Sequence, residues 1–381
     1  MHTLNQHYFK DFKPLLTVHS PGRINFIGEH TDYNNGFVLP TAIDRTISFK
    51  FRKNDTSSTC NIYSKSYNAF LQVDLTHVRP SENEWENYVL GVIHELLLRD
   101  ASLEGFDCII ESELPIGAGI SSSAALECGM AIGLNILFNL KQPLEELILL
   151  SRDAEHRFVG TNCGIMDQFA VVMSKKNHVL LLDCKSLDYE LIPVDISPYK
   201  ILLLNTNVSH NLATSEYNKR REECELGVQV IQQKHTEVQS LRDVTLAMLE
   251  SVKEELNITT YKRCRYVISE NARVLKAVQE LKNGNLEAFG DLMYLSHEGL
   301  QNLYNVSCDE LDFLVDYSRE HEHIVGSRMM GGGFGGCTIN IIHESAVEAY
   351  TKTVSEAYKN HFKRELTAIV VNPSQGTFIK N

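Results

Sequence analysis

Residues 114–129, LPIGAGISSSAALECG, dictate more of the local fold than any other stretch of this chain. Gly117 and Gly119 allow backbone conformations closed to other residues, Ser121, Ser122 and Ser123 follow, and helix formers then begin. The segment reads as a glycine-rich turn feeding a helix N-terminus. Free main-chain N–H groups and the positive end of a helix dipole make such a turn an anion site. It can cradle a phosphate chain without net positive protein charge, and a serine hydroxyl there can reach a magnesium ion. An ordinary capped Gly-Ser loop is the bland alternative. Neither GxxxxGK[ST] nor GxGxxG occurs, so the P-loop and dinucleotide fingerprints do not apply.

The same helix is the most apolar window of the chain, ISSSAALECGMAIGLNILFNL, yet it carries Glu127, Asn135 and three serines. That predicts a buried helix of a soluble protein rather than a membrane span. The chain has 381 residues, enough for two moderate cores and a cleft between them. Its 36 basic and 49 acidic side chains give a net charge of -13, which disfavours a broad nucleic-acid or anionic-membrane surface. Nine widely spaced cysteines never form a CxxC pair, so reduced thiols and a cytoplasmic location are expected. Residues 1–16 lack the basic stretch followed by an apolar stretch that a secretory leader needs. Four Asn-x-Ser/Thr sequons, at Asn54, Asn207, Asn257 and Asn305, then read as chance matches.

Periodicity gives a mixed chain without internal repeats. LLTVHSPG, RTISFKF, HVLLLDC and KILLLNT are strand-like, while WENYVLGVIHELLLRD, LEELILLSRDAEHRF, SEYNKRREECELGVQVIQQK and YVISENARVLKAVQELKNG have apolar residues at helical spacing. TAIVVNPSQGTFIKN closes the chain in strand-like runs. No regular βαβ series is visible, so an α+β protein of two lobes fits best, divided at the DISPYK turn into residues 1–195 and 196–381.

Three further stretches carry chemistry. GRINFIGEHTDYNNG, residues 22–36, sets Arg23, Glu29, His30, Asp32 and a tyrosine directly ahead of the apolar run FVLPTAI. AEHRFVGTNCGIMDQFA places Glu155 and Asp167 in a weakly hydrophobic setting where a carboxylate needs a partner or a task. GSRMMGGGFGGC has glycine at six of twelve positions, a density tolerated where backbone must approach a ligand or another backbone. His321 and His323 in EHEHI suggest a metal pair only superficially, because the loop offers no third ligand.

Taken in order, these four stretches resemble the GHMP kinases, the family of galactokinase, homoserine kinase, mevalonate kinase and phosphomevalonate kinase, and the resemblance runs from about residue 21 to 337. GRINFIGEHTDY looks like the signature of the galactokinase branch. The resemblance implies a two-lobed fold with the active site in the cleft, and ATP-dependent phosphorylation of the anomeric hydroxyl of α-D-galactose. It implies sugar contacts from Glu29, His30, Asp32, Gly164 and Tyr217, with Asp167 as base or orienting group and Arg23 beside it. On the nucleotide side it implies a phosphate loop over residues 117–123, including Gly117, Gly119, Ser121, Ser122 and Ser123. Ser123 and Glu155 would be the magnesium ligands, and Trp85 and Tyr88 would line the adenine pocket. A monomer acting on galactose and ATP is expected. Met330 and Gly332 depart from GxRMTGAGFGGC, the commoner form of the last motif. A kinase for N-acetylgalactosamine or arabinose is the nearest rival, and a sugar sensor that binds both ligands without turnover is the rival from another class.

Overall fold

The computed structural model describes residues 9, 11–115, 117–208 and 213–380. The residues read above for a leader, 1–8 and 10, lie outside it, as do residues 209–212 of the NLATSEYNKRR segment. Three sheets organise the chain. The largest has Leu16–Asn25 beside Pro40–Lys53, then Phe106–Ser112, Thr59–Ser64 and Ala69–Asp74. Its pairings are antiparallel except that of Thr59–Ser64 with Phe106–Ser112.

The apolar helix foreseen after the serines is Ser122–Leu137, and it lies across this sheet. Gly129 and Gly133, one turn apart, face Phe49 and Phe51, leaving no room for a side chain at either position. The helix therefore sits close on two aromatic rings, which fixes where its N-terminus points. Among the described residues no helix is long and apolar enough to cross a membrane.

A second, antiparallel sheet has the order Ile324–Met329, Cys337–His343, Tyr199–Asn205, Thr367–Val371. Helices Ala213–Gln232, Ile258–Lys282, Leu286–Gly299, Asp309–Arg319 and Val347–Phe362 supply most of the second half. Phe37–Val38, His178–Asp183 and Tyr189–Pro193 form the third sheet. Near the end of the chain Pro373–Ser374 pairs with Pro40–Lys53 and Phe378–Ile379 with Leu16–Asn25, so the tail returns to the first sheet. The main core joins Phe26, Phe49 and Ala125 to Leu203, Phe289 and Ile339.

The glycine-rich motif is the hairpin tip between Ile324–Met329 and Cys337–His343. Gly331 has φ +84°, and a Cβ there would meet the Gly119 carbonyl oxygen at 3.2 Å. One on Gly336 would meet the Ala118 carbonyl at 3.5 Å. The motif thus brings backbone against the loop that leads into Ser122–Leu137, which is what its glycine content predicts. All nine cysteines are free, and His321 and His323 stand on a loop.

Candidate active site

Arg23 leaves the first strand fully committed. Its Nε and Nη2 donate to the two Asp167 oxygens at 2.8 and 2.9 Å, and Nη1 donates to the Gly119 carbonyl at 2.7 Å. Burial works against its charge, but Asp167, together with Glu29 and Asp32, more than offsets this and holds the guanidinium pKa up. Asp167 lies in the first turn of Met166–Met173 with its side chain 26% exposed, so the pair opens on solvent through the carboxylate. Ser121, at φ 56°, turns its hydroxyl onto Asp167. The loop read as a phosphate cradle is therefore also the mount of the carboxylate.

Gly117 and Gly119 take φ +73° and +70°, and nothing stands within 4 Å of a Cβ placed on Gly117. Ser121 precedes the helix without a side-chain cap, leaving first-turn N–H groups unsatisfied by it. Ser122 and Ser123 open the helix, and the Ser123 side chain lies by Glu155, which follows helix Leu144–Ala154. Among the described residues Glu155 accepts hydrogen bonds from neutral groups, Gln168 at 2.9 Å and Cys163 at 3.5 Å. Burial, then the Asp167 charge, pushes its carboxyl up to about 7. Glu127, missed as a site residue, lies beyond it and is fully buried; burial, then Glu155, raises its pKa well above the usual range. Among the described residues no three His, Cys, Asp or Glu side chains converge as a metal cage.

The other charged residues of the first motif gather near Asp167. Asp32 accepts main-chain hydrogen bonds from Tyr33 and Met166, and burial, then Asp167, raises it to about 7. A Cβ on Gly164 would run into the Asp32 carboxylate, so this glycine is what lets the acid stand there. His30 sits at φ 62° and is buried; burial, then the Arg220 charge, pushes its imidazole down to about 3, so it is neutral at pH 7. Its ring lies 4.9 Å from that of Tyr304 and 5.3 Å from that of Tyr217. Burial, then Asp32, raises the Tyr217 phenol well above its ordinary range.

Glu29 is the most heavily engaged of the set. One carboxylate oxygen accepts from Arg328 Nη2 and the Gly331 N–H, both at 2.8 Å, and the other from Asn25 at 2.8 Å. Arg328, wholly buried, also donates to the carbonyls of Asn25 and Phe26. Glu29 thereby ties the first motif to the last, with capacity left on the oxygen that Asn25 holds. Arg328 was not singled out from the sequence, because its partners lie about three hundred residues away.

Trp85 and Tyr88 open helix Glu84–Leu98. Trp85 is buried in the main core and stacks on Tyr67 at 5.5 Å between centroids. Tyr88 is half-buried, and burial, then the charge of Glu155, raises its phenol, so it borders the Ser123–Glu155 pair. The two departures in the last motif have distinct settings. Met330 is buried in the main core, and a Cβ on Gly332 would meet Tyr217 at 3.3 Å.

Comparison with known proteins decides the family. The galactokinase galactose-binding signature matches residues 4–53, the GHMP kinases N terminal domain residues 87–175 and the GHMP kinases C terminal domain residues 277–360. The galactokinase of Thermosipho africanus is 41% identical over 365 residues, which is 95% of this chain and 99% of that protein. The chain belongs to the galactokinase family of GHMP kinases. The galactokinase of Thermotoga maritima is 42% identical over 361 residues, again 95% of this chain and 99% of that one. The crystal structure of Lactococcus lactis galactokinase complexed with galactose superposes with a TM-score of 0.93 at 33% identity, covering 99% of this chain and 98% of the other. A mevalonate kinase at 19% identity and TM-score 0.61 shares the fold. The expected α+β GHMP kinase fold is thus borne out.

Proposed function

We propose that this galactokinase-family chain transfers the γ-phosphoryl group of ATP directly to the anomeric hydroxyl of α-D-galactose, giving α-D-galactose 1-phosphate and ADP. The observation that carries the reading is the Arg23–Asp167 pair, with Asp167 open to solvent beside the glycine-rich loop and the N-terminus of Ser122–Leu137. In the step, galactose O1 attacks the γ-phosphorus, the bond to the ADP oxygen breaks, and the O1 proton passes to Asp167. Because phosphoryl transfer through a loose transition state needs positioning and charge neutralisation more than a strong base, Asp167 also serves by orienting O1. Arg23 holds that carboxylate in one geometry.

Glu29, His30, Asp32, Gly164 and Tyr217 form the sugar side of this reading. Gly117, Gly119, Ser121, Ser122 and Ser123 form the phosphate side, and Trp85 and Tyr88 border the base. Ser123 and Glu155 fit a magnesium ion: a buried carboxyl with only neutral partners lacks a cation, and two protein oxygens leave coordination positions for phosphates and water. The metal would neutralise phosphate charge. We further infer a cytoplasmic monomer of two lobes dividing near residue 196, with the tail after 372 handed back to the first lobe.

The test is ADP release with Mg-ATP and, separately, galactose, N-acetylgalactosamine, arabinose and glucose, alongside Asp167→Asn. Galactose should be preferred, and the variant should lose at least about a hundredfold in kcat while still binding sugar. Binding of galactose and ATP without ADP release by the unaltered protein would sink the enzyme reading in favour of a sensor.

A further inference from the structure

The loop that carries Glu29, His30 and Asp32 is gripped from the second half of the chain. Gly28 has φ +102°, and its N–H donates at 3.0 Å to Oε1 of Glu270, 242 residues away on helix Ile258–Lys282. One turn earlier on that helix the Tyr266 hydroxyl donates to the Glu29 carbonyl at 3.0 Å. Next to Glu270, Asn271 Oδ1 accepts from the Phe37 N–H at 2.9 Å, and Val274 stands where a Gly28 side chain would be. Thr31 draws the two ends of the loop together, its hydroxyl lying 2.8 Å from the Gly28 carbonyl and 2.6 Å from that of Phe37.

Residues 266, 270, 271 and 274 share one face of the helix. A single rigid surface therefore holds residues 28 and 29 at one end of the loop and residue 37 at the other, with His30 and Asp32 between. Glu270 is wholly buried, and its two oxygens have different tasks. Oε2 accepts from Arg273 Nε at 2.6 Å, whereas Oε1 accepts from the Ser296 hydroxyl at 2.6 Å and from the Gly28 main chain. A buried N–H that loses its acceptor is costly, so without Oε1 the Gly28 peptide would turn toward another partner and carry Glu29, the next residue, with it.

We propose that Glu270 is a positioning residue for sugar binding: Oε1 fixes the Gly28 peptide and, with Tyr266 and Asn271, sets where Glu29, His30 and Asp32 stand. That these three meet a sugar rests on the galactose-kinase reading; that their loop is mounted on this helix does not.

Two double variants of the full-length protein separate the ion pair from the acceptor. Glu270→Leu with Arg273→Met replaces the buried pair by apolar side chains, a change such sites often tolerate, and leaves the Gly28 N–H without its acceptor. Glu270→Gln with Arg273→Met removes the same charges and keeps an amide oxygen for Gly28 and Ser296. The first should raise the galactose KM about tenfold, with kcat and the ATP KM within about threefold, and the second should leave the galactose KM within about threefold. In the protein without ligands, amide hydrogen exchange over residues 28–37 should quicken in the first variant only. Should that variant fail to fold, Tyr266→Phe removes only the hydroxyl on the Glu29 carbonyl and should raise the galactose KM about fivefold; a parental value there overturns the proposal. A folded first variant with the parental galactose KM, or equal rises in both, overturns it as well. If the unaltered protein releases no ADP with galactose, the sugar reading fails and exchange decides the rest: quickening in the first variant alone supports the mount, and no change overturns it.

Discussion

At the scale of single residues, the glycines beside the sugar side differ in how much room they have. A Cβ on Gly164 would run into the Asp32 carboxylate, whereas one on Gly332 would meet the edge of the Tyr217 ring at 3.3 Å. The acid is held by the Tyr33 and Met166 main chain and cannot swing away cheaply, but a ring edge can yield by tenths of an ångström. Gly164→Ala is therefore expected to raise the galactose KM at least about tenfold, and Gly332→Ala less than about threefold, measured in the same steady-state assay. Equal effects would show that Asp32 is free to move. Glu29, His30, Asp32 and Asp167 drew notice in the sequence as ionisable groups beside apolar runs, and the roles expected of them came from the family resemblance. Tyr304 and Arg328 were not, because what makes them matter is a partner 271 or 299 residues away.

At the scale of elements, helix Ser122–Leu137 shows how two opposed terms resolve. Replacing Gly133 by alanine improves helix propensity by roughly 0.5–1 kcal/mol. The new Cβ, however, would run into the Phe51 ring, and overpacking of a dense core costs about 1–3 kcal/mol. The second term is the larger, so Gly133→Ala should lower the urea midpoint with the slope unchanged; a raised midpoint would mean that the sheet yields to the helix. Glu84–Leu98, Ser122–Leu137, Ala213–Gln232 and Ile258–Lys282 were legible from their period, whereas Val347–Phe362, as long as Ser122–Leu137, was not read. Thr59–Ser64, Phe106–Ser112 and Leu286–Gly299 were not. Phe106–Ser112 is buried over five consecutive residues, so it shows no alternation. Gly290 interrupts Leu286–Gly299 where the helix presses against the Val325 carbonyl.

For the whole molecule the sequence predicted two lobes and missed how they are fastened. The tail strands return to the first sheet, and Arg328 joins Glu29 across the chain. Removing Arg328 alone, as in Arg328→Met, would leave Glu29 buried with the N–H of Gly331 and the Asn25 amide but no cation. Loss of one member of a buried ion pair costs about 3–5 kcal/mol. Chemical denaturation of Arg328→Met should show a loss of that order, and a loss under about 1 kcal/mol would mean that the two neutral partners suffice.

A second property of the whole molecule is the dependence of its stability on pH, to which Glu155 contributes with a definite sign. Its carboxyl titrates near 7 in the folded chain, against an ordinary value of 4.5. Between those values the folded state keeps a proton that the unfolded state has lost, so raising the pH through this window removes stability, and above 7 the cost is fully in place. The slope approaches about 1.4 kcal/mol per pH unit for one proton. The raised Asp32 and lowered His30 titrate in the parent and in Glu155→Gln alike, whereas Glu127, which Glu155 raises, does not, so the difference between the two proteins reports the coupled Glu155–Glu127 pair. In metal-free buffer Glu155→Gln should gain on its parent as pH rises from 5 to 7 and hold that gain above 7. Added magnesium and nucleotide should then stabilise the parent increasingly over the same interval, as a cation takes the place of the proton, and that pH-dependent increment should be missing from the variant. A stability difference that stays flat from pH 5 to 8 would show that Glu155 is already charged in the folded protein, with a cationic partner standing where the metal ligand is placed.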